Sequence, residues 1–250
     1  GAVNHRNGEI YFALTNNSAA NRTPTKVDAA NPRAYMDLDG KKLAGNPNGH
    51  IIRFKEAGST GTAKAFAWDI FLFGAEEDSG DANLSGLTAK NAFSSPDGLW
   101  FSKKTGICWI QTDDGAFTGS TNCMLLAALP GKVGDGQAIT VNNTLGGTEA
   151  QQSFIGAALG DAKLRRFLVG PKGCEITGIT ETPDGKAIFV NIQHPGERTA
   201  ALGMAADFTF QSTWPAGSAS AGNYGPAGSL RPRSATIVIR RTDGGVIGAE

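Results

Sequence analysis

Net charge is missing from this sequence. Its 250 residues carry 23 Lys+Arg and 23 Asp+Glu, which leaves nothing to draw in nucleic acid or an anionic membrane surface non-specifically. Charged residues of either sign are scarce as well, at 18%. Cysteine is nearly absent: Cys108, Cys123 and Cys174 are an odd number with no C-x-x-C or Cys/His spacing. That argues against a structural zinc site and says nothing about redox compartment. No apolar run reaches the roughly 20 residues of a membrane span. The best, residues 65–75 (AFAWDIFLFGA), is interrupted by Asp69, so membrane insertion is not expected. G-x-S-x-G, P-loop, G-x-G-x-x-G and H-E-x-x-H motifs are all lacking, which removes local support for serine nucleophiles and nucleotide binding. There is no leader pattern and no initial methionine, and the chain opens inside a repeat, so it reads as a piece of something longer.

What is plentiful is glycine, 34 residues of it, beside an apolar content of 40% that is enough for a core. Many short strands joined by glycine turns suit this composition better than helices. Three stretches repeat one pattern: residues 5–17 (HRNGEIYFALTNN), 103–115 (KKTGICWIQTDDG) and 183–194 (PDGKAIFVNIQH). Each has a turn glycine (Gly8, Gly106, Gly185), then a β-rich apolar run, then an abrupt polar end. The glycines stand 98 and 79 residues apart. Strand-turn-strand units recurring with long insertions between them are the mark of a β-propeller. The expectation is an all-β fold: about three blades in one segment, with sectors at about 1–80, 90–170 and 172–250. Within the long insertion 131–161, residues 149–159 (EAQQSFIGAAL) read as a short helix. Residues 242–250 (TDGGVIGAE) read as another turn leading into a further strand. Three blades do not close a ring and leave sheet faces or edges open. A homodimer, or the Gly/Ser/Pro-rich loop at 214–228 folding over the open ends, would hide them.

The repeat fixes a register. Asp97 lies nine residues before Gly106 and Glu175 ten before Gly185, each opening a strand. The same count back from Gly8 lands just ahead of the first residue, where a matching carboxylate is expected. Inner propeller strands run toward a central channel, so carboxylates at equivalent positions converge. Convergent oxygens, about six to eight of them, are what calcium takes. Asn16, Asn17, Asp113, Asp114 and Gln193 stand at strand ends nearby. For any one polar residue beside a glycine turn, capping or solvation is the commoner role. The shared register lifts Asp97 and Glu175 above that and does little for Asp114, Asp184 or Asp243. Lys172, three residues before Glu175 and held between Pro171 and Gly173, suits contact with an anion. His194 ends a strand beside Pro195 and Gly196, where a structural role is the commoner one. His50 is expected to pack or to hydrogen-bond a loop, and Cys108 and Cys174 to be buried and inert.

The run LTNNS (14–18), NPNGHIIRF (46–54), FAWDIF (66–71), SPDGLWF (95–101), WIQTD (109–113), RRFLVGPKGCEITG (165–178), TPDGKAIFVNIQHPGE (182–197) and PRSATIVI (232–239) resembles the PhoX-type alkaline phosphatases, in family order. The resemblance implies part of a six-bladed propeller with an iron–calcium cluster in its channel. It implies hydrolysis of phosphate monoesters in the bacterial periplasm or outside the cell. It covers the C-terminal half of the family only, so the iron-ligating cysteine and further glutamates are expected upstream of this chain. Carried over by position, Asp97 and Glu175 resemble calcium ligands and Lys172 a phosphate contact, while Gln193 and His194 fall in a family motif without an assigned role. No cysteine here matches the iron ligand. On this reading the chain alone is inactive. The alternatives are a non-catalytic propeller segment and another calcium-dependent propeller hydrolase, such as a lactonase.

Overall fold

The computed structural model describes residues 1–23, 25–36, 44–115, 121–145, 150–199, 210–215 and 231–249. The regular secondary structure of the described residues is almost entirely strand. In chain order these are β1 (Ala2–Val3), β2 (Ile10–Leu14), β3 (Tyr35–Met36), β4 (Ala44–Gly45), β5 (His50–Glu56), β6 (Phe66–Phe73), β7 (Pro96–Phe101) and β8 (Cys108–Thr112). There follow β9 (Met124–Ala128), β10 (Gln137–Asn142), β11 (Ala150–Ile155), a single helical turn α1 (Gly160–Lys163), β12 (Leu164–Val169), β13 (Glu175–Glu181), β14 (Ala187–Gln193) and β15 (Ala235–Arg240).

They assemble into three main sheets. The first has the order β1-β2-β5-β6-β11-β10, the second β12-β9-β8-β7 and the third β13-β14-β15, with β3 and β4 as a small pair. The second sheet lies between the other two, and its strands show why. All five residues of β8 are buried, because alternate side chains enter opposite cores. Cys108 and Ile110 pack with Tyr11, Ile51 and Phe71 of the first sheet. Ile107 and Trp109 pack with Ile176, Ile188 and Val190 of the third. Tyr11 meets Phe71 and Phe101 edge-on, with ring centroids 5.2 and 4.9 Å away. Each such buried side chain stabilises the fold by roughly 1.5–3 kcal/mol. Among the described residues the far face of the first sheet has no such cover: Phe12 is 45% and Phe66 61% exposed, with Phe54 between them.

The three repeated turns are structurally alike. Asn4, Ser102 and Thr182 each donate their backbone N–H to the carbonyl five residues on, at 2.8, 2.9 and 2.9 Å. The glycine inside each turn sits at φ 73, 75 and 72° for Gly8, Gly106 and Gly185, a left-handed conformation that side chains resist. β7 packs against β1 and β2 on one side and β13 on the other, so the strands that open the sheets lie together.

Two expectations are corrected. Residues 150–155, read as helix, form β11, which pairs antiparallel with β10 and lies parallel to β6 at Ile155↔Ile70. Its Ala150 and two glutamines favour helix, but pairing with β10 and burial of Ser153 and Ile155 win. The segment after Arg241 makes the expected turn at Gly244 but no strand among its described residues. Instead Ile247 is buried and donates its N–H to Gly185 O at 2.9 Å. The loop at 214–228 lies, beyond its first two residues, outside the described residues. His50 does bind a loop, with ring nitrogens 2.9 Å from Asn46 Nδ2 and 2.7 Å from Ala30 O, and all three cysteines are buried.

Candidate metal centre

In an antiparallel hairpin the opening of the first strand lies beside the end of the second. Here Pro96 pairs with Thr112, and Glu175 with Gln193. Asp97 is therefore set near Asp113, and Glu175 near His194. Because β7 and β13 are neighbours, the two hairpin ends meet. Ligand atoms of Asp113, Glu175 and His194 all fall within 4.8 Å of one another. Glu175 is 8% exposed, while Asp97 and Asp113 are exposed. Thr15, which follows β2 as Asp113 follows β8, donates its hydroxyl to Asp97 Oδ1 at 3.4 Å. Gln193 faces solvent.

The carboxylates of the cluster repel one another, and nearby cations offset only part of the effect. Burial pushes the Glu175 carboxyl up, and the charges of Asp113 and Asp97 push the same way against His194. Burial also raises Asp113, with Asp97 and Glu197 adding to it and His194 and Arg198 opposing. Backbone strain gathers here too: among the described residues, four non-glycine residues have positive φ, and two of them, Ser95 at 50° and His194 at 36°, lie beside or within the cluster. His194 donates its backbone N–H to Ser234 Oγ at 3.0 Å, and its Nε2 lies 3.5 Å from Glu175 Oε2.

A pocket beside the cluster is lined by Asp113, His194, Glu197, Lys172, Arg198 and Gln211, among others. Lys172 is exposed on its rim, in a turn locked by Gly196 N–H donating to Lys172 O at 2.8 Å. Gly173 makes that close approach possible: its φ is 70°, and a Cβ there would lie 3.2 Å from the Gly196 Cα and 2.6 Å from Gln211 Oε1. Arg198 is held by donation to Asp114 O at 2.9 Å. Two cations thus stand beside an acidic cluster, an arrangement suited to an anionic ligand bridged by a metal ion.

The sequence profile described as alkaline phosphatase PhoX matches residues 2–196, which include Asp97, Asp113, Lys172, Glu175 and His194. The chain belongs to the PhoX family. It is also similar to a solved structure of Pseudomonas fluorescens PhoX, in complex with vanadate, a transition state analogue. The identity is 30% and the TM-score 0.59, over 99% of this chain and 34% of the other. The chain therefore spans about a third of that PhoX's length. No curated protein matches it.

PhoX enzymes are metal-dependent, and the residues present fit calcium in kind. Asp97, Asp113 and Glu175 offer hard carboxylate oxygens whose mutual repulsion a divalent cation would relieve. They do not fit thiolate-bound iron: burial pushes the Cys123 and Cys174 thiols up to about 12 and Cys108 higher still. Of the residues that meet here, sequence singles out Glu175 alone as a metal ligand, while Asp113 stands only among nearby strand-end residues and a structural role is the commoner one for His194. The signal that marks them is their position, directly after the second strand of each hairpin.

A stability prediction follows from the repulsion. Glu175 has a folded pKa raised above its unfolded value, so the cation-free chain loses stability as pH rises from the unfolded value through the folded one, and the loss is complete above it. Glu175→Gln should raise the cation-free melting temperature at pH 7 by about 2–4 °C, an advantage that closes toward pH 4. Calorimetry across that range checks it. An unchanged or lowered melting temperature at pH 7 refutes the repulsion.

Proposed function

We propose that this chain supplies one wall of the metal-dependent site of a phosphatase acting on phosphate monoesters. On this reading Asp97 and Glu175 hold calcium, and Lys172 contacts the phosphate of the substrate. The observation that carries it is the meeting of Asp113, Glu175 and His194 beside Lys172 and Arg198. Calcium, when bound, would neutralise phosphoryl oxygens and polarise the phosphorus for attack. Lys172 and Arg198 would orient the monoester from the rim, and buried Glu175 would keep its ligand geometry through β13. The vanadate bound by the Pseudomonas relative has the chemistry of a phosphoryl transition state, which supports the same reaction class here.

The sheets are read as blades of a six-bladed propeller. The bare far face of the first sheet then has its natural occupant in a neighbouring blade, contributed by chain beyond these residues. Iron would be held by ligands from that same part. The periplasm or cell exterior is the compartment that goes with this reading.

The donors gathered here fall short of the roughly six to eight that calcium takes. The 250 residues alone, supplied with calcium and iron, should therefore turn over p-nitrophenyl phosphate no faster than background. Vanadate with calcium should nonetheless raise their melting temperature, and Lys172→Ala should abolish that rise. Turnover near that of a full-length PhoX would overturn the partial-site reading. The absence of any vanadate effect would overturn the phosphoryl-site reading.

A further inference from the structure

We propose that the glycine-turn end of the three hairpins is a docking surface for an anionic phospholipid membrane, held by Arg6, Lys103, Lys104, Lys186, Arg240 and Arg241. This surface lies at the opposite end of the strands from the carboxylate cluster, so the proposal stands apart from the phosphatase reading.

The first support is the sorting of charge. The chain's total is balanced, but these turns are not. All six cations are exposed, and among the described residues only Arg241 of the six is in an ion pair, with Asp243 at 2.6 Å. Carboxylates of the same turns are partly consumed. Glu9 is 1% exposed and accepts from Tyr11 Oη at 2.9 Å and from Val133 N–H at 2.7 Å. Half-buried Glu181 accepts from Ser102 Oγ at 2.8 Å. Asp184 and Asp243 are the exposed acids that remain on these turns, so cations dominate the outward field.

The second support is how the cations are held. Arg6 and Lys104 each stand two residues before a turn glycine, and each lies over the glycine of the next turn. A Cβ on Gly106 would lie 2.6 Å from the Arg6 guanidinium, and one on Gly185 2.9 Å from Lys104 Cγ. Arg6 Nη2 also donates to Lys104 O at 3.1 Å. Arg240 joins them because it pairs with Ala187, directly after Lys186. The side-chain stems thus lie across the turns while the charges stay in solvent. Positive charge runs as one band over three neighbouring sheets, which calls for an extended anionic partner. Leu129 selects a bilayer over a hydrated polyanion. It is 46% exposed at this same end, following Ala128, which pairs with Cys108. An apolar side chain among lysines enters the headgroup boundary of a membrane favourably.

The third support is distance. Asp113 stands seven residues beyond Gly106, and His194 nine beyond Gly185. At strand rise that is about 23–30 Å, more than two Debye lengths at physiological salt. The band is therefore too far away to draw substrate to the pocket. Docked by this end, the chain would keep that pocket turned toward solution.

The test is co-sedimentation of the whole 250-residue chain with phosphatidylglycerol–phosphatidylcholine vesicles, and with vesicles of phosphatidylcholine alone. The parent should bind the anionic vesicles only, and raised salt should release it. Lys104→Gln combined with Lys186→Gln should weaken binding about thirtyfold, at about fivefold for each cation. Glutamine keeps a stem over Gly185, so the turn stays covered. Arg22→Gln combined with Lys26→Gln removes the same charge from exposed residues of the loop after β2, at the other end of the strands. That variant should bind within about twofold of the parent. No binding to anionic vesicles, an equal loss in the two variants, or binding that raised salt leaves intact would each overturn the proposal. So would retention on heparin without vesicle binding, which would assign the band to a soluble polyanion.

Discussion

Arg53→Met should destabilise the fold by about 3–5 kcal/mol, because it strands two carboxylates around a buried charge site. Arg53 and Asp69 are both 1% exposed, and the guanidinium donates to Asp69 Oδ1 at 2.6 Å and Oδ2 at 3.0 Å. It also reaches Asp135 Oδ1 at 2.7 Å, across 82 residues of sequence. The turn around Asp135 is fastened through the same groups: Gly134 N–H donates to Asp69 Oδ2, and Ala157 N–H to Asp135 Oδ1, at 2.7 and 2.9 Å. Arg53 thus clips the β10–β11 hairpin to β5 and β6. Burial pushes the Asp135 carboxyl up, but the N–H groups of Ala157 and Lys132 and the Arg53 guanidinium outweigh it and leave it below the usual range. Urea denaturation measures the loss, and Arg53→Met combined with Asp69→Leu should recover part of it. A loss under about 1 kcal/mol would mean that water replaces the guanidinium without penalty.

Gly49→Ala should be more damaging still and should prevent the native fold. Gly49 sits at φ 63°, and a Cβ there would run into the backbone carbonyl oxygens of Thr15 and Leu14. Neither can move cheaply. Leu14 is in β2, paired with His50, while the Gly49 carbonyl accepts from Gly74 N–H at 3.0 Å and from buried Arg33 Nη2 at 2.7 Å. The control is Gly8→Ala, with a similar φ of 73° but nothing within 4 Å of the added carbon. It should cost only the roughly 1–2 kcal/mol of a left-handed residue. Circular dichroism and melting curves separate the two. Equal effects would show that backbone conformation, rather than the collision, governs this site.

The turns were the most legible part of the sequence. Gly8, Gly106 and Gly185 announce themselves because only glycine takes that φ without strain, and all three turns share one closing hydrogen bond. The strands beside them follow from their apolar alternation. What stayed hidden depended on partners distant in sequence. β10 and β11 carry mixed polar residues whose strand character comes from each other and from β6, so local composition pointed to loop and helix. At the site, Glu175 could be read from its place at a strand opening. Asp113 and His194 could not be ranked from local pattern, since their meeting requires two hairpins, 81 residues apart, to lie side by side. His194, in a left-handed conformation, donates its N–H to Ser234 Oγ, 40 residues further on.

The return of β11 to β6 sets a timetable for synthesis. β6 ends at Phe73, and the hairpin that covers its edge begins at Gln137. The residue that pairs with β6 is Ile155, so at about 5–20 residues per second a ribosome leaves that edge bare for roughly 4–16 seconds. The exposed strand is FAWDIFLF, with four of its eight residues aromatic, at a length and composition prone to pairing with other chains. Asp69 stands in its middle as the one charge, and its partner Arg53 is made before it. A nascent chain that has already formed this pair carries its own protection against pairing with a neighbour on the same message.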